Sequence, residues 1–311
     1  MTIHAIKQAV KKVCPNFILQ RYYAFLAERN YRRYLRSIDE SNRIWVNNSF
    51  MQGGGIETIE IETLNRCNGI CPFCPVNVNQ PQRPYAKMSD ELFRKIIDEL
   101  AEMNYTRGIS LFSNNEPFLD ERIIDFHKYA NEKLPHAIFW LYTNGTLLTF
   151  EKFIEIMPYL DLLIIDNYND KKDINTPELQ KIYDYIQEHH ELDERVRFWF
   201  RLQNEVLTSR GGQAPNKQGM NDKRAVNVLC INPFGQLIVR PTGEVSLCCN
   251  DALGKYTLGN LSTQSISEVW NSETYNEIRR EMLKNGRKNL SLCRDCDFIS
   301  DTFLETLRKR P

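Results

Sequence analysis

The sequence predicts an α/β fold with a parallel sheet, preceded by an N-terminal helical arm and followed by a small C-terminal module. Between residues 56 and 202, short apolar runs alternate with longer amphipathic segments. Such alternation is typical of right-handed βαβ units, which build a parallel sheet covered by helices. The chain has 311 residues, of which 42% are hydrophobic. It is therefore long enough for one large α/β domain and a small appendage.

The predicted strands and helices follow one another regularly along this region. The first strand alternates apolar and polar residues and ends just before three cysteines. Ser89 is a typical helix N-cap, because two acidic residues and then apolar residues at helical spacing follow it. The predicted strands span residues 56–64, 108–112, 137–142, 160–165 and 195–202, and the predicted helices begin at Ser89 and span residues 121–131, 150–157 and 177–189.

The region after residue 228 predicts two further elements. Residues 235–248 indicate a β-hairpin that turns at the sequence Pro-Thr-Gly, and residues 267–283 indicate a single helix. The hairpin would bring Cys230 and Cys248 together. The helix would then return the chain to Cys293 and Cys296.

Composition and charge exclude several classes of protein. Lys and Arg together number 40, as do Asp and Glu, so the net charge does not favour a nucleic-acid partner. The first residues lack the long apolar core of a signal peptide, and no run approaches the ~18 apolar residues of a membrane span. We therefore expect a cytoplasmic location. In such a protein, the nine cysteines indicate metal ligands and reactive thiols rather than a disulfide framework.

Three of these cysteines, Cys67, Cys71 and Cys74, lie close together after the first predicted strand. Fe–S clusters usually take four cysteine ligands, so three thiolates can hold three corners of a four-iron cluster and leave one iron for a small molecule. The alternative is a zinc knuckle or a group of structural thiols. Zinc sites favour CxxC pairs with histidine, and no histidine is near these three cysteines in the sequence.

The spacing CxxxCxxC, with Phe73 before the third cysteine, resembles the radical S-adenosylmethionine (SAM) superfamily. In that family SAM chelates the fourth iron, and one electron from an external reductant of the flavodoxin or ferredoxin type splits it to a 5′-deoxyadenosyl radical. The resemblance implies an open, partial (β/α)6 barrel and extends over roughly residues 54–298. It divides the chain into an arm (1–50), a radical SAM partial barrel (51–228) and a C-terminal module (229–311).

The C-terminal module resembles the SPASM/twitch modules of these enzymes. Its pattern is Cys230, then twelve intervening residues before Gly243, then Cys248, and finally Cys293 and Cys296 as a CxxC pair. Because no cysteine follows Cys296, the resemblance implies one auxiliary [4Fe–4S] cluster and hence two [4Fe–4S] clusters in all. A four-cysteine zinc ribbon is the alternative. Two cysteines, Cys14 and Cys249, remain unassigned by these patterns.

Polar residues follow the predicted strands, where ligands bind in such barrels. Asn114, Asn115 and Glu116 stand at the position of the family's GGE-like turn, and Asn144 belongs to a Thr-Asn-Gly turn that resembles one bordering SAM. We therefore expect these residues and Phe73 to contact SAM. Polar residues past the fourth and fifth strands indicate a polar substrate pocket: Asp166, Asn167, Tyr168, Asn204 and Glu205.

Arg210 is a further candidate for binding SAM or an anionic group of the substrate. Its guanidinium offers fork-shaped donors to a carboxylate, and the two glycines that follow would let the backbone approach a ligand closely. The alternative is that this segment is a flexible linker between the barrel and the C-terminal module.

The N-terminal arm is rich in basic and aromatic residues. A helix of this composition can pack on the barrel as a lid, grip an anionic substrate or lie on an anionic membrane surface. We favour packing. The arm is too short for the peptide-recognition domain that many peptide-modifying SPASM enzymes carry, which favours a small polar substrate over a ribosomal peptide.

Cys249 bears most directly on the reaction. It follows Cys248 immediately, so it is unsuited to ligate the same iron, and a free thiol near the cavity can donate hydrogen to a carbon radical. The chain resembles sugar- and aminoglycoside-modifying members of the family, among them an epimerase of neomycin biosynthesis and a dehydrogenase of butirosin biosynthesis. We predict epimerisation of a sugar-like substrate, with Cys249 as hydrogen donor. The alternatives are alcohol dehydrogenation, peptide modification, a buried spectator role for Cys249, and a non-catalytic Fe–S or zinc scaffold.

Overall fold

A computed structural model of the chain describes residues 16–78, 83–217 and 222–299. Its centre is one sheet of eight strands in the order β5-β4-β3-β2-β1-β6-β7-β8. Neighbouring strands are parallel from β5 to β6 and antiparallel from β6 to β8. The strands are β1 (Thr58–Ile61), β2 (Gly108–Ser110), β3 (Ile138–Thr143), β4 (Leu162–Tyr168), β5 (Val196–Arg201), β6 (Gln236–Val239), β7 (Glu244–Ser246) and β8 (Thr257–Asn260).

Helices connect the parallel strands, as the alternation in the sequence predicted. Ser89, Thr149 and Thr176 each cap one of these helices by accepting a hydrogen bond from a backbone N–H in its first turn. The helices are α1 (Asn16–Asn48), α2 (Pro75–Val78), α3 (Asp90–Glu102), α4 (Ile123–Lys133), α5 (Phe150–Ile156), α6 (Pro177–Glu188), α7 (Asn232–Gly235), α8 (Ile266–Trp270) and α9 (Glu273–Asn285).

The prediction of one continuous helix over residues 267–283 is wrong. Two helices, α8 and α9, occupy this stretch and meet at Asn271 and Ser272. The hydroxyl of Ser272 accepts a hydrogen bond from the backbone N–H of Tyr275 at 3.3 Å. A serine that caps a new first turn has extended backbone angles, so the preceding helix ends before it.

The predicted hairpin is confirmed and has a second role in the sheet. β6 and β7 pair antiparallel, and Gly243 has φ 85° in the turn between them. β6 also pairs parallel with β1, with Thr58 opposite Gln236 and Ile61 opposite Val239. The sixth parallel strand of the partial barrel therefore comes from beyond residue 228. The proposed domain boundary at this residue stays a prediction, and the sheet is continuous across it.

Alternation along the strands separates an outer core from an inner face. Ile59 and Ile61 of β1 lie in the main hydrophobic core, as does Phe93 of α3. Trp140 and Ile164 belong to a second cluster formed by alternate residues of β3 and β4. Parallel strands are buried on both faces in this way when helices cover one face and the barrel interior encloses the other.

Helix α1 packs against the segment that leads into the C-terminal module. The Asp39 carboxylate accepts a hydrogen bond from the backbone N–H of Leu229 at 2.7 Å, and Asn42 Nδ2 donates to the Leu229 carbonyl at 2.7 Å. Near its end, Trp45 lies against Gly235, just before β6 begins. Gly235 lies at the amino end of β6. The described part of the arm therefore does not form the predicted lid over the carboxyl ends of the parallel strands.

None of the helices in the described ranges has the length and apolar composition needed to cross a bilayer.

Candidate active site

A cavity of about 300 Å³ opens at the carboxyl ends of the parallel strands. The cysteine loop after β1 forms one side, and residues at the ends of β2 to β5 form the floor and opposite side. Every residue that sequence analysis assigned to SAM lines it, as do the three cysteines of the first motif and the proposed hydrogen donor: Cys67, Cys71, Phe73, Cys74, Asn114, Asn115, Glu116, Asn144, Arg210 and Cys249.

The cysteine loop presents its three thiols to the cavity. The backbone N–H of Gly69 donates to the sulfur of Cys67 at 3.3 Å, and the N–H of Cys74 donates to the carbonyl of Cys71 at 3.0 Å. Burial raises the pKa of Cys67 to about 12 and that of Cys71 to about 11. A nearby metal cation reverses this effect, because a coordinating thiol is deprotonated outright.

Phe73 fixes the loop to the barrel. Its ring is buried and packs against the ring of Tyr168 at the end of β4, with a centroid separation of 5.6 Å. Phe73 therefore supports the orientation of the flanking cysteines through packing, in addition to lining the cavity.

Glu116 is a buried carboxylate that ties two strand ends together. One of its oxygens accepts a hydrogen bond from the Thr143 hydroxyl at 2.7 Å, and the other accepts one from the backbone N–H of Asn144 at 2.9 Å. Burial raises the pKa of Glu116 to about 7, because the loss of water outweighs these donors. Its role in the site is therefore to hold the turn that carries Asn144.

Asn144 connects this turn to the cysteine loop. Its Nδ2 donates to Asn68 Oδ1 at 2.9 Å and lies 3.9 Å from the sulfur of Cys67. The Thr-Asn-Gly turn is thus more than a change of chain direction, since it contacts the first cysteine motif directly.

Asn114 and Asn115 occupy the turn after β2. The backbone N–H of Asn114 donates to the Glu62 carboxylate at 2.8 Å, and its Nδ2 donates to the carbonyl of Cys249 at 3.1 Å. Asn115 Oδ1 accepts from the backbone N–H of Ser113 at 3.1 Å. Its Nδ2 is buried and has no partner in the part of the chain that the structure describes. Because Asn115 lines the cavity, this N–H group can serve a bound ligand.

Arg210 reaches from the segment after β5 to the same turn. Its guanidinium donates to Asn114 Oδ1 and, at 3.0 Å, to the carbonyl of Cys249. Arg210 Nε is buried without a partner among the described residues. The following glycines, Gly211 and Gly212, have φ 64° and 80°, and a Cβ on Gly211 would overlap Leu292. The backbone at Gly211 therefore approaches the C-terminal module closely. The expectation from the sequence, that the backbone here approaches a ligand, is wrong for Gly211.

A second, smaller cavity is lined by Cys230, Cys248, Cys293 and Cys296. Cys248 and Cys293 are 7% and 8% exposed, and burial is the main cause that raises the pKa of Cys248. The hairpin and the segment after α9 bring these four cysteines together, although they span 67 residues of the sequence, from Cys230 to Cys296. Among the described residues, no three His, Cys, Asp or Glu side chains are placed so that they could hold a single metal ion. Cys14 lies outside the described residues.

Cys249 stands between the two cavities. It lines the main cavity, whereas the preceding Cys248 lines the smaller one. The backbone of Cys249 is fixed from both sides, because its N–H donates to Gln236 Oε1 at 3.1 Å and its carbonyl accepts from Asn114 and Arg210. Burial also raises the pKa of the Cys249 thiol, which keeps hydrogen on the sulfur at neutral pH.

Glu60 is a candidate functional residue that sequence analysis missed. It is 8% exposed, lines the main cavity, and accepts hydrogen bonds from the Ser113 hydroxyl at 2.6 Å and from Gln236 Nε2 at 2.9 Å. Burial raises its pKa to about 7. The signal was present in the sequence, because alternation in the first strand places the charged residue Glu60 on the face of the sheet away from Ile59 and Ile61.

Aromatic rings and one ion pair complete the wall of the cavity. Phe112 stacks on Tyr142 with a centroid separation of 5.6 Å, and Trp199 meets Tyr142 edge to face. The guanidinium of Arg201 lies over the Trp199 ring and donates to the Asp166 carboxylate at 2.7 Å.

The polar residues predicted past the fourth and fifth strands separate into two groups. Asp166 and Tyr168 line the cavity, and Glu205 accepts a hydrogen bond from Arg201 at 2.9 Å. Asn167 instead donates to the carbonyl of Asp173 at 2.7 Å and stabilises the loop after β4. Asn204 is not among the residues that line this cavity.

Two protein families match the two parts of this architecture. The family described as the radical SAM superfamily matches residues 61–197. The SPASM family, described as an iron–sulfur cluster-binding domain, matches residues 230–297. These segments contain the cysteine loop with the parallel strands and the four cysteines of the smaller cavity, respectively. The chain is a radical SAM protein with a SPASM domain.

Individual relatives share both the sequence and the fold of this radical SAM chain. An S-adenosyl-L-methionine-dependent 2-deoxy-scyllo-inosamine dehydrogenase from Niallia circulans is 27% identical over 245 residues, which are 78% of this chain and 93% of that protein. The structure of BtrN in complex with AdoMet and 2-DOIA has a TM-score of 0.67 at 23% identity, and covers 79% of this chain and 94% of BtrN. A structure of BtrN in an open conformation has a TM-score of 0.60 at 20% identity, with 80% and 95% covered. The structural likeness supports the partial-barrel fold.

The cofactors of this radical SAM enzyme are iron–sulfur clusters and SAM. The residues present fit them. The first cavity offers three thiols together with unpartnered N–H groups on Asn115 and Arg210, among the described residues. The second offers four thiols in a small enclosed space, which suits a fully cysteine-ligated cluster.

Proposed function

We propose that this radical SAM enzyme epimerises a carbon centre of a sugar-like or aminoglycoside-like substrate. Cys67, Cys71 and Cys74 would hold the cluster that binds SAM, and Cys230, Cys248, Cys293 and Cys296 would hold an auxiliary [4Fe–4S] cluster. When bound and reduced by one electron, the first cluster and SAM supply a 5′-deoxyadenosyl radical that removes a hydrogen atom from the substrate. The electron would come from an external reductant of the flavodoxin or ferredoxin type.

The position of Cys249 carries the proposal. Cys249 lines the cavity of the first cysteine motif, and three hydrogen bonds hold its backbone N–H and carbonyl groups. A thiol fixed at the wall of the cavity can give a hydrogen atom to a substrate radical from one constant direction. Delivery to the face opposite to the one that lost hydrogen inverts the carbon centre.

The electrons balance in this scheme if the thiol is regenerated. Hydrogen transfer from Cys249 breaks its S–H bond, forms the C–H bond of the product and leaves a thiyl radical. One electron and one proton restore the thiol, and the electron again comes from the external reductant. Each turnover therefore consumes one SAM and two electrons.

The wall of the cavity favours a small, polar, amine-bearing substrate. Glu60 and Asp166 contribute carboxylates, and Tyr142 and Trp199 contribute aromatic surface. Ligand pockets typically combine aromatic walls with a few polar groups that fix orientation. Aromatic faces and carboxylates both attract an ammonium group.

Asn115 and Arg210 are our candidates for recognising the SAM carboxylate. Both line the cavity, and each has a buried N–H without a partner in the described ranges. Glu116 and Asn144 would act through the shape of the turn, since the Glu116 carboxylate is already engaged with Thr143 and Asn144.

Dehydrogenation of a secondary alcohol is the second candidate function. It is favoured by the 27% identical relative, which is named as a dehydrogenase acting on 2-deoxy-scyllo-inosamine. In this reaction the substrate radical would lose a second electron and a proton instead of receiving hydrogen. Cys248 and Cys249 are neighbours that line different cavities, so an electron acceptor in the smaller cavity would be close to the substrate.

Turnover in D2O separates the two functions. The reconstituted enzyme would be incubated with SAM, a reductant, and either 2-deoxy-scyllo-inosamine or a panel of amino sugars, and the products would be analysed by mass spectrometry. Epimerisation predicts a product one mass unit heavier in D2O than in H2O, because the Cys249 thiol exchanges with solvent. Dehydrogenation predicts a product two mass units lighter than the substrate, without solvent deuterium.

The variants Cys249→Ala and Cys249→Ser test the same residue. Under epimerisation, both still cleave SAM and retain iron, but neither inverts the carbon centre, since neither has a weak S–H bond. Under dehydrogenation both remain largely active. A lighter product from the wild-type enzyme, together with an active Cys249→Ala variant, would refute epimerisation.

A further inference from the structure

Two polar side chains share the smaller cavity with its four cysteines. Asn232 lies in α7, two residues after Cys230, and Arg287 follows α9. Both are 1% exposed. A fully buried amide and a fully buried guanidinium need compensating partners, because burial removes their hydrogen bonds to water.

Within the described residues, these partners are incomplete. Arg287 Nε donates to the carbonyl of Val228 at 2.9 Å, and Nη1 donates to the carbonyl of Phe298 at 2.7 Å. Its Nη2 has no partner, and neither does Nδ2 or Oδ1 of Asn232. The hydrogen bonds of Nε and Nη1 hold the guanidinium in place, so Nη2 cannot rotate towards solvent.

The chemistry of the cavity identifies what these donors can serve. Its other polar lining consists largely of cysteine thiols, and the remaining walls include the apolar Leu247 and Leu292. Four thiolates with a four-iron cluster form an anionic group whose sulfur atoms accept hydrogen bonds. The potentials of such clusters depend on net charge and on hydrogen bonds to the sulfurs.

We infer that Asn232 and Arg287 donate hydrogen bonds to the auxiliary cluster or its thiolates and raise its reduction potential. This rests on the proposed assignment of Cys230, Cys248, Cys293 and Cys296 as its ligands. Reduction adds one electron and breaks no bond, and the added negative charge strengthens each N–H···S contact. The donors therefore stabilise the reduced cluster relative to the oxidised one, and both residues act as positioning and tuning groups rather than as ligands.

The test is a redox titration of the auxiliary cluster alone. The full-length chain would carry Cys67→Ala, Cys71→Ala and Cys74→Ala, so that signals of the first cluster are absent, and would be reconstituted anaerobically. Electron paramagnetic resonance at defined potentials then gives the midpoint. In this background we would compare Asn232→Leu, which keeps the volume but removes the N–H, with Arg287→Lys and Arg287→Met.

Asn232→Leu is expected to lower the ratio of reduced to oxidised cluster about tenfold at the parent midpoint, which corresponds to about 59 mV for one electron. Arg287→Met should lower the ratio further, because it also removes a buried cation, and Arg287→Lys should have an intermediate effect. The control is Arg294→Met. Arg294 is adjacent to Cys293 in sequence, but its side chain is 59% exposed, so the midpoint should not move.

The outcomes separate this inference from the function on which it rests. If the parent variant holds no iron, the ligand assignment fails and the inference fails with it. If iron is retained but Asn232→Leu leaves the midpoint unchanged, the inference alone is overturned. Should either Arg287 variant fail to fold, the Asn232→Leu result still decides.

Discussion

The two cysteine sites differ in how they are built and in how open they are. Cys67, Cys71 and Cys74 come from eight consecutive residues of one loop and line a cavity of about 300 Å³ at the barrel mouth. The other four come from three separate segments and line a small cavity, with Cys248 and Cys293 almost fully buried. An open site can admit a ligand to an iron, whereas a closed one keeps its metal fully coordinated.

Support from the surrounding chain follows the same division. The loop is held by Phe73, which packs on Tyr168, and by Asn144, which contacts Asn68 and Cys67. These contacts are local to the barrel mouth. The closed site instead draws on distant parts of the chain, because helix α1 holds Leu229 next to Cys230, and Arg287 binds the carbonyls around Cys296. We therefore propose a catalytic role for the open site and an electron-transfer or structural role for the closed one.

The largest expected effect comes from removing the open site. Changing Cys67, Cys71 and Cys74 together to Ala should reduce iron from about eight to about four atoms per reconstituted chain. Formation of 5′-deoxyadenosine should fall to background, since no iron remains to bind SAM. Iron analysis and chromatography of the reaction mixture measure the two quantities.

The matched change at the closed site is the pair Cys230→Ala and Cys296→Ala, the two less buried members of that set. This variant should also lose about half of its iron, but it should still cleave SAM. The division of roles is wrong if the triple variant keeps its iron or cleaves SAM, or if the native metal is zinc.

A smaller effect is expected from the pH dependence of stability at the wall of the open cavity. Burial raises the pKa of Glu60 from 4.5 to about 7. Below pH 4.5 Glu60 is protonated in both the folded and the unfolded chain, so its contribution to the free energy of unfolding is fully present there. Between pH 4.5 and about 7 Glu60 ionises only in the unfolded chain. The free energy of unfolding of the wild type should therefore fall by about 3 kcal/mol relative to that of Glu60→Gln over this range.

Denaturant unfolding of both proteins at pH 4.5, 6 and 8 measures this difference. Glu155→Gln on the exposed side of α5 is the control and should run parallel to the wild type, because Glu155 is exposed. Parallel curves for Glu60→Gln and wild type would show that the Glu60 carboxylate is not buried as described.

The smallest effect is expected where α1 supports the closed site. Asn42→Ala leaves the carbonyl of Leu229 without its side-chain donor and should lower the free energy of unfolding by about 1–3 kcal/mol. It should also speed the loss of auxiliary iron to a chelator, because Leu229 precedes Cys230. SAM cleavage by the first cluster should be unaffected.

Arg33→Ala, an exposed change on the same helix, is the control for Asn42→Ala. It should alter neither the free energy of unfolding nor the rate of iron loss. If Asn42→Ala loses its SAM-cleavage activity faster than Arg33→Ala does, then α1 supports the open site as well. The two sites would then not be independent.

Local sequence patterns predicted the fold well, and the residues they proposed for the open site line one cavity. Ser89 was recognised as a helix cap, and the strands from β1 to β5 were each found within a few residues of their bounds. The three cysteines could be recognised as one group because their spacing is fixed within one loop. In contrast, the break at Ser272 was missed, since a serine in a helical pattern is equally compatible with a surface position.

The sequence by itself determined the alternation of strands and helices, the family and the set of cysteines, because each depends on spacing along the chain. Only the tertiary structure decided that β6 joins the barrel sheet beside β1, and that Glu116 serves the turn at Asn144. It alone separated Cys248 from the adjacent Cys249, which lines the main cavity, and brought Asn232 and Arg287 to the auxiliary cysteines. These are contacts between segments far apart in sequence, and their partners depend on burial and packing, which no local pattern encodes.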